Sequence, residues 1–77
     1  MSEPIYVAQV FDPALFLEPK SVQDWFSARN AEAFAAGATW ARYHMEAASS
    51  GLLIEAWTTK PEDEGPARWS LCEDVSA

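Results

Sequence analysis

Two alternating runs, "TWARYHMEA" (39–47) and "LLIEAWTTK" (52–60), stand either side of "ASSG", and no other feature of the chain limits its fold as much. In the first run Ala41, Tyr43, Met45 and Ala47 alternate with Trp40, Arg42, His44 and Glu46. In the second, Leu52, Ile54, Ala56 and Thr58 alternate with Leu53, Glu55, Trp57 and Thr59. Successive side chains of a strand point to opposite faces, so a period of two over this length predicts a β-hairpin. One of its faces is apolar and suits a core. The other mixes large aromatic residues with charges, and its use is the question the sequence poses.

Core residues must sit opposite core residues, which leaves two registers for the hairpin. A two-residue Ser50-Gly51 turn sets Glu46 against Glu55, and opposed like charges are unfavourable. A four-residue loop, Ala48 to Gly51, sets His44 against Glu55, Arg42 against Trp57 and Glu46 against Leu53. The second is preferred for its histidine–carboxylate pair and its cation–π contact, each contributing about 0.5–1 kcal/mol at an exposed site.

The rest of the chain supplies the cover. Ile5 to Phe11 is apolar on both faces except for Gln9, which predicts a strand buried centrally in the sheet. "DPALFLEP" follows, with Asp12 as an N-cap and Pro13 at the first helical position, and Pro19 limits it to a single helical turn or tight loop. Ser21 and Asp24 form an S-x-x-D variant of the capping box at the start of the only long helix, and Gly37 is placed to end it in the left-handed conformation. On a helical wheel Val22, Trp25, Phe26, Ala33 and Ala36 share a face. Arg29 falls within that face, where its stem packs while its guanidinium reaches solvent or a nearby carboxylate. "ARWSLC" reads as a last strand with Ala67, Trp69 and Leu71 inward.

The predicted architecture is α+β in β-α-β-β-β order: an approximately four-stranded, mainly antiparallel sheet with one long helix on one face. Without linkers or repeats, residues 1–77 read as one compact domain whose tail, 73–77, frays. A chain of 77 residues buries only roughly 60% of the surface it exposes when unfolded. Cys72 is the only cysteine, so no internal disulfide compensates for that small core. A lone thiol fits a reducing cytoplasm. The opening "MSEPIYVAQVF" lacks the basic region and long apolar run of a signal peptide, and no run approaches a membrane span.

A search for chemistry returns little. His44 is the only histidine. It would act as a base oriented by Glu55, with Cys72 as nucleophile, only in the company of an oxyanion-hole loop, and none is recognisable. One histidine and one cysteine do not make a zinc site, and no carboxylates recur at calcium-loop spacing. Gly37, Gly51 and Gly65 are too dispersed for a phosphate cradle. No enzyme activity, metal or cofactor is expected.

Charge is more informative. Twelve Asp and Glu oppose five Lys and Arg, a net charge of -7, which is repelled by nucleic-acid phosphates and anionic lipid and attracted by basic protein surfaces. Glu62, Asp63 and Glu64 form a compact acidic run. Trp40 and Trp57 flank Arg42 on the second hairpin face, and Trp and Arg are frequent interface anchors. The candidate partner-binding residues are therefore Trp40, Arg42, His44, Glu46, Glu55, Trp57, Glu62, Asp63 and Glu64. The competing expectation is that the "ALFL" segment or the C-terminal tail covers the tryptophans.

In size, acidity, lone cysteine, compact α+β pattern and lack of catalytic residues, the chain resembles the small acidic anti-CRISPR proteins encoded by phages. The resemblance is one of general character and assigns no role to individual residues. It implies a non-enzymatic inhibitor in the host cytoplasm, a DNA mimic whose carboxylates stand in for phosphates. Its partner would be a larger basic protein or ribonucleoprotein complex, which it would block from target DNA. The alternative is a structural accessory subunit, or a homodimer that buries the open sheet face against a second copy.

Overall fold

The computed structural model describes residues 3–62 and, for the backbone alone, 71–74. It is a small α+β fold with one long helix and an antiparallel sheet of three strands. The sheet comprises β1 (Tyr6–Phe11), β2 (Trp40–Glu46) and β3 (Gly51–Trp57), the helix α1 spans Pro19–Ala35, and Leu71–Asp74 is a further short strand, β4. A 3-10 turn over Pro13–Phe16 links β1 to α1, and another over Ala47–Ser49 joins β2 to β3.

β3 pairs with β1 on one side and with β2 on the other, so the hairpin's second strand is central and β1 lies outside it. This corrects the central position expected for β1. The strand that carries the burden of burial is "GLLIEAW", in which Gly51, Leu52, Ile54, Ala56 and Trp57 are all buried. β1 instead alternates, its Tyr6, Ala8 and Val10 half-buried and its Val7, Gln9 and Phe11 exposed. An apolar residue in a short run thus signals a strand without fixing whether both faces are covered.

Each local signal around the helix has a visible cause. Asp12 caps the first 3-10 turn, its carboxylate accepting from the Ala14 amide at 3.0 Å. α1 starts at Pro19, not at Ser21, with Glu18 in the extended capping position. Pro19 pre-sets the first helical φ where its missing N–H costs no bond, so the S-x-x-D pattern falls inside the first turn and is not the cap. At the other end Gly37 takes φ +99. The Ala38 amide donates to the Ala33 carbonyl and the Gly37 amide to the Phe34 carbonyl, both at 3.0 Å, which is the Schellman closure. It brings Ala33 and Ala38 into the core together.

That core is built on small residues. Ala33, Ala38, Ala41, Tyr43, Ile54 and Ala56 form one buried cluster, with Tyr6, Ala8, Trp25 and Phe26 packed around it. Alanines on facing elements let the helix approach the sheet closely, and the aromatic rings fill the flanks. Phe26 meets Tyr43 edge-on at 5.3 Å between centroids and Trp25 meets Phe26 at 5.4 Å. Such contacts add about 0.5–1.5 kcal/mol each beyond area burial. Tyr43 keeps its polar end satisfied by donating to Asn30 Oδ1 at 2.8 Å.

A second phenol ties β1 to the helix. Tyr6 donates to the Glu32 carboxylate, which also pairs with Arg29 at 2.7 Å, so the anomalous arginine finds its carboxylate one turn away. Arg29 also lies over the Trp25 ring at 5.7 Å. Burial and the hydrogen bond to Glu32 push the Tyr6 pKa up to about 12 from 10.0. A raised pKa means that this contribution to stability is fully present below pH 10 and disappears as pH climbs from 10 toward 12. Denaturant midpoints measured across that interval should fall for the wild type, and the Tyr6→Phe variant should show a correspondingly flatter decline.

Candidate docking face

The two rows of the hairpin keep the faces that alternation assigns them. Their register differs from both sequence-derived alternatives. Arg42 faces Glu55, Trp40 faces Trp57, His44 faces Leu53 and Glu46 faces Gly51. The preferred alternative had His44 opposite Glu55, Arg42 opposite Trp57 and Glu46 opposite Leu53; all three pairings are displaced by two residues. Parity is unchanged, which is why the faces survive. The cause lies in the loop, where Ala47–Ser49 make a 3-10 turn and Ser50 takes a left-handed conformation at φ 55. The four loop residues are therefore 47–50, and Gly51 is the first residue of β3, not the last of the turn.

The observed register places an ion pair at the middle of the face. Arg42 Nη2 lies 3.7 Å from Glu55 Oε1, and its guanidinium carbon sits 4.4 Å from the centre of the Trp57 ring. The cation–π partner expected for Arg42 is thus kept, reached diagonally and not straight across. Trp40 and Trp57 contact at 5.7 Å, and the Lys60 ammonium lies 5.7 Å from the Trp40 ring. The Thr39 hydroxyl closes this end by donating to the Thr58 carbonyl at 2.8 Å.

This half of the face is not open. Trp40, Trp57 and Arg42 are only 4%, 3% and 8% exposed. The expectation that the two tryptophans stand free is corrected: both are buried, and the Trp57 ring lies against the buried Arg42 guanidinium, whose desolvation it and Glu55 offset. The "ALFL" segment packs against the helix.

The other half, toward the hairpin loop, is open. A groove of about 320 Å³ runs across the sheet here, lined by Gln9, Phe11, His44, Glu46, Ser49 and Leu53 among others. His44 Nε2 is 3.6 Å from Glu46 Oε2 on the same strand, so the carboxylate beside the imidazole is Glu46, not Glu55. Phe11 is 61% exposed and Val7 55%, which adds an apolar margin from β1. The sequence reading missed Phe11, Val7, Gln9 and Leu53 as members of this face. Their signal was present in parity: once β1 joins β3, its odd-numbered residues share the face of Leu53 and Glu55.

Phe11 and Gly51 are cross-strand partners, and the ring lies directly over the glycine. A Cβ at Gly51 would meet the ring at 2.9 Å. The glycine therefore admits the aromatic side chain that forms one wall of the groove.

The remaining candidate residues are dispersed. Glu62 is exposed at the end of the described stretch, while Asp63 and Glu64 lie outside the described residues. Ala67 and Trp69 lie outside them too, as do residues 75–77 of the tail expected to fray over 73–77, whereas Glu73 and Asp74 belong to β4. Of Cys72 only the backbone is described. Among the described residues no group of three His, Cys, Asp or Glu side chains gathers to hold a metal ion, and no helix is long and apolar enough to cross a membrane. Compared with known proteins, the chain matches no family model, and no curated protein or solved structure is significantly similar to it.

Two substitutions probe the two halves. Glu55→Ala removes the carboxylate 3.7 Å from the buried Arg42 guanidinium and should cost about 2 kcal/mol in chemical denaturation. Replacing both partners by methionine should recover most of that loss, since an apolar pair needs no compensation. Gly51→Ala should destabilise by about 1 kcal/mol because the Phe11 ring must swing away. In a Phe11→Ala background the same change should become neutral or favourable, as alanine replaces glycine within a strand.

Proposed function

We propose that this chain is a non-enzymatic protein-binding inhibitor that docks its acidic, partly apolar outer sheet face on a larger basic protein or ribonucleoprotein complex. The observation that carries this reading is the open groove beside Glu46 and Phe11. Apolar patches rimmed by charge commonly mark binding sites, and Phe11, Val7 and Leu53 supply the apolar part. The net charge of -7 selects basic surfaces and raises association rates toward them. A partner that itself binds nucleic acid has such a surface. In occupying it, Glu46 and the Glu62–Glu64 run stand in for phosphates and exclude DNA, as in the anti-CRISPR proteins that the chain resembles. The action would then take place in the cytoplasm of the cell that holds the complex, with no cofactor.

In this reading the sheet has four strands in the order β1-β3-β2-β4. Support comes from the backbone of Leu71–Asp74, whose register sets Asp74 against Trp40 and Cys72 against Arg42. The buried half of the face is then the structural platform. The loop half is the contact surface, and Trp40, Arg42, Glu55 and Trp57 serve it from beneath. His44 lies within the contact surface as a polar neighbour of Glu46. A homodimeric accessory subunit is the second reading, favoured by the exposed apolar residues of β1.

The experiment is competition. The basic complex that co-purifies with the tagged protein should lose duplex DNA when the wild-type chain is added. Reversal of Glu46, Glu62, Asp63 and Glu64 to Lys should weaken that displacement by tenfold or more and flatten its salt dependence, with the circular dichroism spectrum retained. His44→Ala should leave displacement nearly intact. Displacement that is indifferent to the reversal would exclude the acidic face as the anchor.

A further inference from the structure

β1 carries a feature that a solitary sheet edge normally lacks: it has no guard. Natural edges are blunted with lysine, proline, inward charges or a bulge. The strand "YVAQVF" contains none of the first three, and its pairing with β3 runs without interruption from Tyr6 to Phe11. Among the described residues β1 pairs with β3 alone. In an antiparallel ladder every second residue turns its amide and carbonyl away from its partner, so a row of backbone donors and acceptors faces outward along β1. Ile5, Val7 and Phe11, at 45%, 55% and 61% exposure, stand beside that row.

The charge around this edge identifies what suits it. Residues 1–19 contain Glu3, Asp12 and Glu18 and no Lys or Arg, and Glu46 lies in the groove that Phe11 and Gln9 open across the sheet. A second copy would bring a further net charge of -7 to the same place. A cationic strand would bring the complement. From these observations, and resting on the basic-partner reading above, we infer that the free edge of β1 takes an extended basic segment of the partner as an additional strand. Main-chain hydrogen bonds to β1 hold it. Its alternate apolar side chains pack beside Val7 and Phe11, and its Lys or Arg side chains reach the acids at both ends of β1 and in the groove.

The test uses the full chain and three synthetic ten-residue peptides: one alternating Val and Lys, the same peptide N-methylated at every second residue, and one alternating Val and Glu. Titration is followed by amide hydrogen exchange. The Val-Lys peptide should slow exchange of the outward β1 amides by roughly tenfold, and N-methylation on the docking edge should abolish this. The Val-Glu peptide should not bind. Gln9→Pro in the chain should remove the effect, and Val7→Lys should weaken binding by roughly tenfold while preserving the fold. If the Val-Lys peptide binds but leaves β1 exchange unchanged and tolerates N-methylation, strand addition is wrong while basic-partner recognition stands. Equal binding of the Val-Glu peptide would remove the charge argument and with it the basic-partner reading. Concentration-dependent protection of β1 without peptide would assign the edge to a second copy and overturn the inference, as would no protection with any peptide.

Discussion

The register of β2 on β3, which sets Arg42 against Glu55 at the centre of the hairpin, is the constraint on which the rest of the structure depends. The 47–50 loop fixes it, and it decides which residues meet across the two strands. With this register, Ala41, Tyr43 and Met45 line up with Ala56, Ile54 and Leu52, and all but the exposed Met45 are buried. Trp40 and Trp57 are brought opposite one another at the same time. A buried guanidinium is tolerated only where its charge is answered, and here a carboxylate and an indole face both answer it. The polar residues in the middle of the outer face are therefore part of the fold's specificity as well as of its surface.

That division reshapes the function argument. A face rich in tryptophan and charge invites the inference that its most conspicuous residues make the contact. Here the conspicuous ones are interior, and the open groove lies among quieter residues at the loop end: Phe11, Gln9, Leu53, His44 and Glu46. Aromatic residues serve cores and interfaces for the same reason, their large apolar area, so composition alone does not separate the two uses.

Much of the fold was legible in the sequence because it follows from local rules. Period-two alternation placed β2 and β3, Asp12 and Pro13 marked the 3-10 turn, and Gly37 marked the helix end. What escaped was decided by contacts between distant residues or by loop geometry. The register turned on Ser50 adopting a left-handed conformation, which a non-glycine residue seldom announces. The helix start turned on Pro19, whose role as a stop for one element concealed its role as the start of the next. The edge position of β1 turned on which strand β3 would choose for its second neighbour, and "YVAQVF" reads the same either way. The groove was hidden for the same reason, since its walls come from three strands.

The pairing of β1 with β3 also has a consequence in time. The β2–β3 hairpin joins residues close in sequence, but β1 must find partners up to Ala56, some 50 residues downstream of Tyr6. Among the described strands β1 is translated first and waits longest for its neighbour. Until β3 has left the ribosome, an uncharged run of high β propensity travels unpaired, the kind of segment that invites premature association. Tyr6 offers a provisional hold, because its Glu32 partner lies on the helix and is synthesised well before the sheet can close. Docked there, the strand would wait on the helix and not in solvent.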